Sequence, residues 1–182
     1  MRTITILNGI ADDSYTEFEA ALEQASKVEN PDRRLNVIRL RDLDIRYCTG
    51  CWDCWVKTPG VCAHHDDMPT ILKEVIQSDL MVFLSPVSLG FVTALTKKAC
   101  DRLIPLVHPY VEIHKKELHH KNRYKKYPKM GLILIDPEKS LVDFENTRQI
   151  FYRLSINLKT DFTLSLHLNG SEKEAHDAFS NL

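Results

Sequence analysis

The stretch that decides the fold is Asp79-Leu80-Met81-Val82-Phe83-Leu84, which runs directly into Ser85-Pro86-Val87-Ser88-Leu89-Gly90. The interior of the first segment is apolar at every position, without the alternation expected of a strand that has one face in water. Strands of parallel sheets, which helices cover on both faces, have this composition. We therefore predict a buried parallel strand over 79–84 and a loop over 85–90, where serine, proline and glycine concentrate.

Shorter segments with strand-like composition recur along the chain and alternate with segments that have helical spacing of apolar residues. The predicted strands are Thr3–Leu7, Leu35–Leu40, 79–84, Gly131–Ile135 and Phe162–Leu168. The first predicted helix starts at Ser14, and the others span Pro69–Gln77, Phe91–Val107, Leu141–Leu158 and Ser171–Phe179. This alternation predicts the α/β class, with a parallel sheet between two helical layers. Five strands suit the flavodoxin-like order 2-1-3-4-5, and we expect residues 1–182 to form a single domain.

The overall composition excludes several classes of protein. The 182 residues are 43% hydrophobic and 27% charged, with a net charge of -1, so no general attraction to nucleic acid or to a membrane surface is expected. No apolar run reaches the roughly 18 residues that a membrane-spanning helix needs. The first residues are typical of a strand rather than of a signal peptide. We expect a cytoplasmic protein with neither nucleic acid nor a membrane as its partner.

Four of the five cysteines lie within fifteen residues, at Cys48, Cys51, Cys54 and Cys62. In a reducing compartment this clustering favours metal binding or redox chemistry over structural disulfides. A Cys-x2-Cys-x2-Cys run with a fourth thiol nearby is typical of a [4Fe–4S] cluster. Four thiolates also suit tetrahedral zinc, with a neighbouring histidine as a substitute. Some of the cysteines could instead pack as small apolar side chains, and the residues alone leave these alternatives open.

The predicted topology places three loops at one edge of the sheet. Ligands of open parallel sheets bind at the carboxyl ends of the strands, beside the point where the strand order reverses. The loops that lie there are Asn8–Tyr15, Ser85–Gly90 and Ile135–Lys139. The cysteine segment follows the second strand and leaves the same edge, so we expect the thiols to lie beside the ligand pocket.

Three segments resemble the NADPH-dependent FMN reductase family and, within it, the iron–sulfur flavoprotein branch. They are the Cys-x2-Cys-x2-Cys-x7-Cys run with Asp66-Asp67-Met68, Ser85-Pro86-Val87 with Lys97 and Asp101-Arg102 downstream, and His120-x-x-Arg123-Tyr124-x-x-Tyr127-Pro128. The resemblance implies a flavodoxin-like fold, bound FMN, NAD(P)H as co-substrate and a small-molecule or protein electron acceptor. It also implies a homodimer or homotetramer and a [4Fe–4S] cluster on the four clustered cysteines.

On this resemblance, the FMN phosphate would lie where the first helix begins, beside Ser14 and Thr16. A helix N-terminus with hydroxyl groups is a suitable site for such an anion. The rest of the cofactor would meet the second loop, at Pro86, Val87, Ser88, Leu89 and Gly90. No residue is assigned a catalytic role, because the cofactor carries the chemistry in enzymes of this kind.

The loop after the first strand departs from the Gly-Ser-x-Arg-x-x-x-Asn-Thr pattern of the family. Gly9 stands at the serine position and Ala11 at the arginine position, whereas Thr16 keeps the final threonine. Asp12 and Asp13 add negative charge that would repel a phosphate. The alternative function is therefore a flavodoxin-like module that has lost FMN binding and acts as a non-catalytic binding or assembly subunit.

Several local features are expected to be structural. They are a Ser14–Glu17 capping box, an Asp66-Asp67 cap on the helix Pro69–Gln77, an Asp101–Arg102 ion pair and a core thiol at Cys100. The basic, histidine-rich segment 108–126 is expected to be a solvated excursion between a helix and a strand, with a site for the NADPH phosphates or an acidic redox partner as the alternative.

Overall fold

The central sheet has five parallel strands in the order that the sequence predicts. The computed structural model describes residues 1–180 and 182. The strands of this part of the chain, inside and outside the central sheet, are β1 (Arg2–Asn8), β2 (Arg33–Arg39), β3 (Leu80–Ser88), β4 (Phe91–Val92), β5 (Val107–His114), β6 (Glu117–Asn122), β7 (Lys129–Ile135) and β8 (Phe162–Leu168). The main path through the sheet is β2-β1-β3-β7-β8. Counted over the parallel strands alone, this path is the order 2-1-3-4-5, and the predicted topology is confirmed.

Helices cover both faces of the sheet. They are α1 (Thr16–Lys27), α2 (Asp53–Val56), α3 (Met68–Gln77), α4 (Ala94–Asp101), α5 (Leu141–Asn157) and α6 (Glu172–Ser180). One core lies under α1 and α6, where Phe18 meets Phe179 edge to face at 5.6 Å. The other core lies under α3, α4 and α5 and includes Val75, Ala99 and Phe151. The three-layer α/β architecture is thus confirmed. Among the described residues, no helix is both long and apolar enough to cross a bilayer.

Strand β3 explains why its sequence has no polar alternation. Leu80 to Pro86 are all buried, with β1 on one side of the strand and β7 on the other. Val82 and Leu84 face one core, whereas Met81 and Phe83 face the other. Burial on both faces, inferred from the apolar run, is confirmed.

The predicted loop over 85–90 is wrong for its first four residues, because β3 continues to Ser88. The chain then reverses at Leu89 and Gly90, whose φ angles are 51° and 75°, and β4 pairs antiparallel with the end of β3. Two successive residues with positive φ form the tight turn that joins short antiparallel strands. Glycine fits this conformation, and the adjacent Leu89 carries the strain of a left-handed backbone.

The predicted helix Phe91–Val107 is also wrong at both ends, since α4 covers only Ala94–Asp101. The side chain of Thr93 caps it by accepting a hydrogen bond from the N–H of Thr96, so residues 91 and 92 are free to pair with β3. At the other end, Pro105 lacks the N–H that a continuing helix needs. Residues 104–106 instead form a single 3-10 turn before β5.

The basic segment is a largely exposed excursion between α4 and β7, as predicted, and it is ordered as a β-hairpin. Strands β5 and β6 pair antiparallel around Lys115 and Lys116, which both have positive φ angles at the tip. Glu117 ties the hairpin to Arg153 of α5, and Glu112 pairs with Lys159. Sequence reasoning missed this element because its polar composition hides the strand alternation.

The start of α1 differs from the predicted capping box. Asp12 rather than Ser14 supplies the capping oxygen, accepting a hydrogen bond from the N–H of Ser14 at 3.0 Å. A 3-10 turn over 13–15 precedes the helix, which begins at Thr16 without a side-chain cap. The carboxylate of Asp12 is therefore seated at the amino end of this helical segment.

Candidate functional site

The four clustered cysteines line one cavity of about 370 Å³. Cys48, Cys51 and Cys54 come from the loop after β2 and the first turn of α2, and Cys62 from the segment that follows it. The remaining walls are Thr49, Gly50, Trp52, Trp55, His64, Asp101, Arg102 and Ile104. All five thiols of the chain are free.

The backbone of the cysteine loop turns sharply so that its thiols share this cavity. Gly50 and Trp52 both have left-handed backbone conformations, with φ angles of 65° and 66°. A tryptophan in this region costs about 1 kcal/mol or more, a strain that surrounding structure must hold. Trp55 fixes the following turn, since its indole N–H donates to the carbonyl of Val107 at 3.0 Å and its ring lies 4.9 Å from that of His120.

A fully buried ion pair forms one wall of the cavity. Both Nη atoms of Arg102 donate to the carboxylate of Asp66, at 2.7 and 3.0 Å, and neither side chain is exposed. Asp66 also accepts hydrogen bonds from the N–H groups of Arg46 and Met68. Burial opposes ionisation of Asp66, but these hydrogen bonds outweigh it and hold the pKa of its carboxyl below the ordinary value.

The ion pair corrects two expectations from the sequence. Arg102 pairs with Asp66 rather than with its neighbour Asp101, which instead pairs with Lys97 one turn earlier. Of the predicted Asp66-Asp67 cap, Asp67 occupies the N-cap position of α3 without a capping hydrogen bond, whereas Asp66 accepts one from the N–H of Met68, the first residue of the helix. The two members of the buried pair are 36 residues apart, so no local pattern could have revealed their contact.

The thiols differ in their surroundings. Cys48 and Cys51 are exposed, Cys62 is half-buried and Cys54 is buried. Burial raises the pKa of Cys54, and the neighbouring thiols raise it further. Cys100, outside the cavity, is an inert core thiol as expected, since burial raises its pKa to about 12.

Among residues 1–180 and 182, no three histidine, cysteine, aspartate or glutamate side chains converge on a point that would hold a single metal ion. Zinc requires its ligands within about 2.3 Å of one centre. The four clustered thiols nonetheless line one cavity.

The loop after β1 is tied down by internal hydrogen bonds. The N–H of Gly9 donates to the carbonyl of Leu84 at 2.8 Å, and the N–H of Ile10 donates to the side chain of Asn8 at 3.0 Å. The hydroxyl of Thr16 donates to the carbonyl of Asp13. Ser14 and Thr16 are both exposed, so their side chains are accessible to a ligand.

Arg41 brings a positive charge to this loop that the comparison with the family's loop pattern did not suggest. Its guanidinium donates to the carbonyl of Ile10 and forms an ion pair with the buried carboxylate of Glu19 at 2.7 Å. Its charge also lowers the pKa of Asp12, although the hydrogen bonds from Ser14 have the larger effect. Glu19 compensates much of this charge, which leaves the loop without a free cation like the arginine of the family pattern.

A buried hydroxyl network joins the first two loops. Thr93 donates from Oγ1 to the carbonyl of Gly9 at 2.7 Å, and its N–H donates to Ser85 Oγ at 2.9 Å. The hydroxyl of Thr96 lies 3.1 Å from that of Thr93. A Cβ at Gly9 would overlap Thr96 Oγ1. The glycine at the family's serine position is therefore required by packing against α4.

The residues predicted to contact the flavin differ in accessibility. Pro86 is buried inside β3, Val87 is half-buried, and Ser88 and Leu89 are exposed. Gly90 lies beside the carboxylate of Asp143. The two loops leave neighbouring strands at one edge, since Asn8 pairs with Leu84. Ser88, Leu89 and Gly90 thus remain the accessible part of the second loop.

The third loop contacts a histidine of β8, His167, that sequence reasoning missed. Asp136, at the end of β7, accepts hydrogen bonds from the N–H groups of Glu138 and Ser140, and His167 Nε2 lies 3.1 Å from its carboxylate. The His167 ring is stacked on Phe144 at 4.5 Å. Burial opposes ionisation of Asp136, but the hydrogen bonds outweigh it and lower its pKa.

The thiol cavity and the flavin loops lie at opposite ends of α4. Thr93, at the start of the helix, contacts the Gly9 loop, whereas Arg102, just past its end, lines the thiol cavity. Eight helical residues span roughly 12 Å at the standard rise. The sequence predicts thiols beside the ligand pocket, and α4 connects the two regions in the structure.

Parts of this chain are similar in sequence to iron–sulfur flavoproteins. An iron–sulfur flavoprotein of Archaeoglobus fulgidus is 36% identical over 90 residues, which are 50% of this chain and 39% of that protein. An iron–sulfur flavoprotein of Methanocaldococcus jannaschii is 39% identical over 69 residues, or 38% of this chain and 35% of that protein. The matches thus span less than two fifths of these relatives' own lengths.

Solved structures share the whole fold at low sequence identity. An FMN-dependent NADH-azoreductase from Bacillus anthracis, solved in complex with FMN, is 14% identical with a TM-score of 0.63, covering 100% of this chain and 99% of that one. Smu.1420 from Streptococcus mutans is 13% identical with a TM-score of 0.64, covering 98% and 95%. The model of the NADPH-dependent FMN reductase family matches residues 1–122. This match covers more than half of the 182-residue chain, and the chain therefore belongs to the NADPH-dependent FMN reductase family.

Proposed function

We propose that this chain is an FMN-dependent NAD(P)H oxidoreductase or electron-transfer flavoprotein with a [4Fe–4S] cluster on Cys48, Cys51, Cys54 and Cys62. The observation that carries the proposal is the single cavity that all four thiols line. Membership of the FMN reductase family supports the flavin, and the similarity to iron–sulfur flavoproteins supports the cluster.

The chemistry of the cavity fits an iron–sulfur cluster. Four thiolates are the ligand set of a [4Fe–4S] cube, which occupies a volume rather than a point. Two buried polar atoms at the cavity wall, His64 Nε2 and Arg102 Nε, have no hydrogen-bond partner in the described part of the chain. Unsatisfied buried groups are costly, and they indicate that the cavity is suited to an occupant that accepts hydrogen bonds.

The flavin loops fit FMN once one side chain moves. Ser14 and Thr16 offer hydroxyls at the start of α1, where the helix dipole favours an anion. The carboxylate of Asp12 accepts from the Ser14 N–H in that position, but Asp12 is exposed and can rotate into solvent. FMN, when bound, accepts a hydride from NAD(P)H and passes electrons onward.

The second loop would hold the remainder of the cofactor. We assign this contact to Val87, Ser88, Leu89 and Gly90, where the tight turn presents the chain at the sheet edge. Pro86 has no N–H and is buried, so its role is to fix the strand before the turn. The backbone of this turn is set by its own pairing and therefore orients the ligand without rearrangement.

The wider setting follows the same proposal. We propose a cytoplasmic homodimer or homotetramer that passes electrons to a small-molecule or protein acceptor. Exposed apolar side chains on the β5–β6 hairpin support subunit contact, since Tyr110, Ile113 and Leu118 are 68%, 77% and 70% exposed.

Iron and acid-labile sulfide analysis tests the cluster assignment. Protein purified without oxygen should contain about four irons per chain. Cys51→Ala should lose this iron, whereas Cys100→Ala, which removes a thiol outside the cavity, should keep it. Equal iron contents in the two variants, or iron absent from the wild-type protein, would overturn the assignment.

A second candidate function is a module that does not bind flavin. The observation in its favour is the carboxylate of Asp12 at the amino end of the helical segment, together with Ala11 in place of an arginine. This candidate predicts that added FMN leaves the fluorescence of FMN and of the protein unchanged. Saturable quenching of FMN fluorescence would exclude it.

A further inference from the structure

Arg102 has one hydrogen-bond donor that its ion pair does not use. The two Nη atoms bind Asp66, and Nη1 also donates to the carbonyl of Arg46 at 2.8 Å. The remaining donor, Nε–H, is buried and has no partner within residues 1–180 and 182. A guanidinium that is fully removed from water normally satisfies all of its donors.

The residue that carries the unused donor is one of those lining the thiol cavity. Arg102 lines this cavity together with the four cysteines. Burial lowers the pKa of Arg102, but the hydrogen bond to Asp66 and the charges of Cys62, Asp66 and Cys48 raise it above its ordinary value. Arg102 therefore shares the cavity with two cysteines whose negative charge favours its charged form.

We propose that Arg102 is the positioning residue of the thiol cavity, whose Nε–H donates a hydrogen bond to a cysteine sulfur of the bound cluster and so stabilises its more negative state. The inference rests on the proposed function, since it requires a cluster on the four cysteines. Asp66 holds the guanidinium through both Nη atoms, so Arg102 is fixed before the cluster is bound.

A fixed donor of this kind raises the reduction potential of the centre. One electron enters the cluster on reduction, with no bond broken and no proton taken up, and the hydrogen bond strengthens as negative charge accumulates on sulfur. Hydrogen bonds to cluster sulfurs are a recognised determinant of potential. Loss of this donor should change the reduced-to-oxidised ratio about tenfold, which is about 59 mV for one electron.

Dithionite-poised redox titrations, followed by the electron paramagnetic resonance of the reduced cluster, test the proposal. Arg102→Lys keeps a cation for Asp66 but lacks Nε, so its potential should fall by about this amount. Lys173→Gln removes an exposed cation from α6, away from the thiol cavity, and should leave the potential unchanged. Asp66→Asn keeps the donor but removes the compensating anion, so its potential should rise.

A wild-type protein with labelled arginine provides the second measurement, which needs no substitution. With ¹⁵N-arginine, the reduced cluster should show a ¹⁵N coupling in pulsed paramagnetic resonance. An Arg102→Lys protein that assembles the cluster at the wild-type potential overturns the inference, and so does absence of the ¹⁵N coupling. A wild-type protein that assembles no cluster overturns the proposed function, and this inference with it.

Discussion

Asp12→Ala should tighten FMN binding about tenfold. In the structure, the Asp12 carboxylate accepts from the Ser14 N–H at 3.0 Å, where the FMN phosphate is expected. A bound phosphate must displace this cap, and loss of an N-cap changes an equilibrium constant by about fivefold. A carboxylate that has rotated to about 8 Å still repels the phosphate, by about twofold at physiological salt. The two effects multiply to about tenfold.

Two matched variants separate displacement of the cap from repulsion of the phosphate. Asp12→Asn keeps a capping oxygen but loses the charge, so its affinity for FMN should rise only about twofold. Asp13→Ala removes a neighbouring charge that does not cap, and it should behave like Asp12→Asn. Higher salt should reduce both of these gains but leave most of the gain of Asp12→Ala.

Quenching of flavin fluorescence gives the dissociation constant for each variant. Riboflavin, which has no phosphate, is the ligand control and should bind Asp12→Ala and the wild-type protein equally. The reasoning is refuted if Asp12→Ala binds FMN no more tightly than the wild-type protein, or if riboflavin shows the same gain.

Three further outcomes follow from buried contacts. Gly9→Ser should lower the free energy of unfolding in urea by about 2 kcal/mol, because its Cβ would overlap Thr96 Oγ1, and Thr96→Ala should recover part of this loss. Asp66→Ala should cost about 3 kcal/mol in the same assay, because it leaves the buried charge of Arg102 without a partner. Asp136→Asn should flatten the acid side of the stability profile, measured by urea unfolding at a series of pH values.

The sign of the last effect comes from linkage. The pKa of Asp136 is lower in the folded protein than its ordinary value of 3.8, so the unfolded chain binds more protons in that range. Stability from this group is therefore present above pH 3.8 and is lost as the pH falls below it. An Asp136→Asn profile as steep as that of the wild-type protein would contradict this assignment. A Gly9→Ser or Asp66→Ala protein as stable as the wild-type protein would contradict the prediction made for that substitution.

The sheet could be predicted from the sequence because its signals are local. The apolar run of β3 and the shorter runs of β1, β7 and β8 each indicate a strand within a few residues. The β5–β6 hairpin could not be predicted in this way, because Lys115 and Lys116 at its tip lack the usual glycine or asparagine.

The site was predictable only in part, because some of its contacts join residues that are distant in the sequence. The spacing of Cys48, Cys51 and Cys54 indicates a shared site, and the structure brings these thiols to one cavity. The pairing of Arg102 with Asp66 depends on the tertiary fold, so the sequence favoured the wrong neighbour. The requirement for Gly9 depends on Thr96, which lies far along the chain.

The absorption spectrum of protein purified without oxygen tests the central claim most directly, recorded before and after denaturation. A flavin spectrum should persist in the supernatant after denaturation, and dithionite should bleach a broad absorbance. The flavin would be the bound FMN, and the bleached absorbance would be the cluster on Cys48, Cys51, Cys54 and Cys62. A featureless visible spectrum that added FMN does not change would rule out both cofactors.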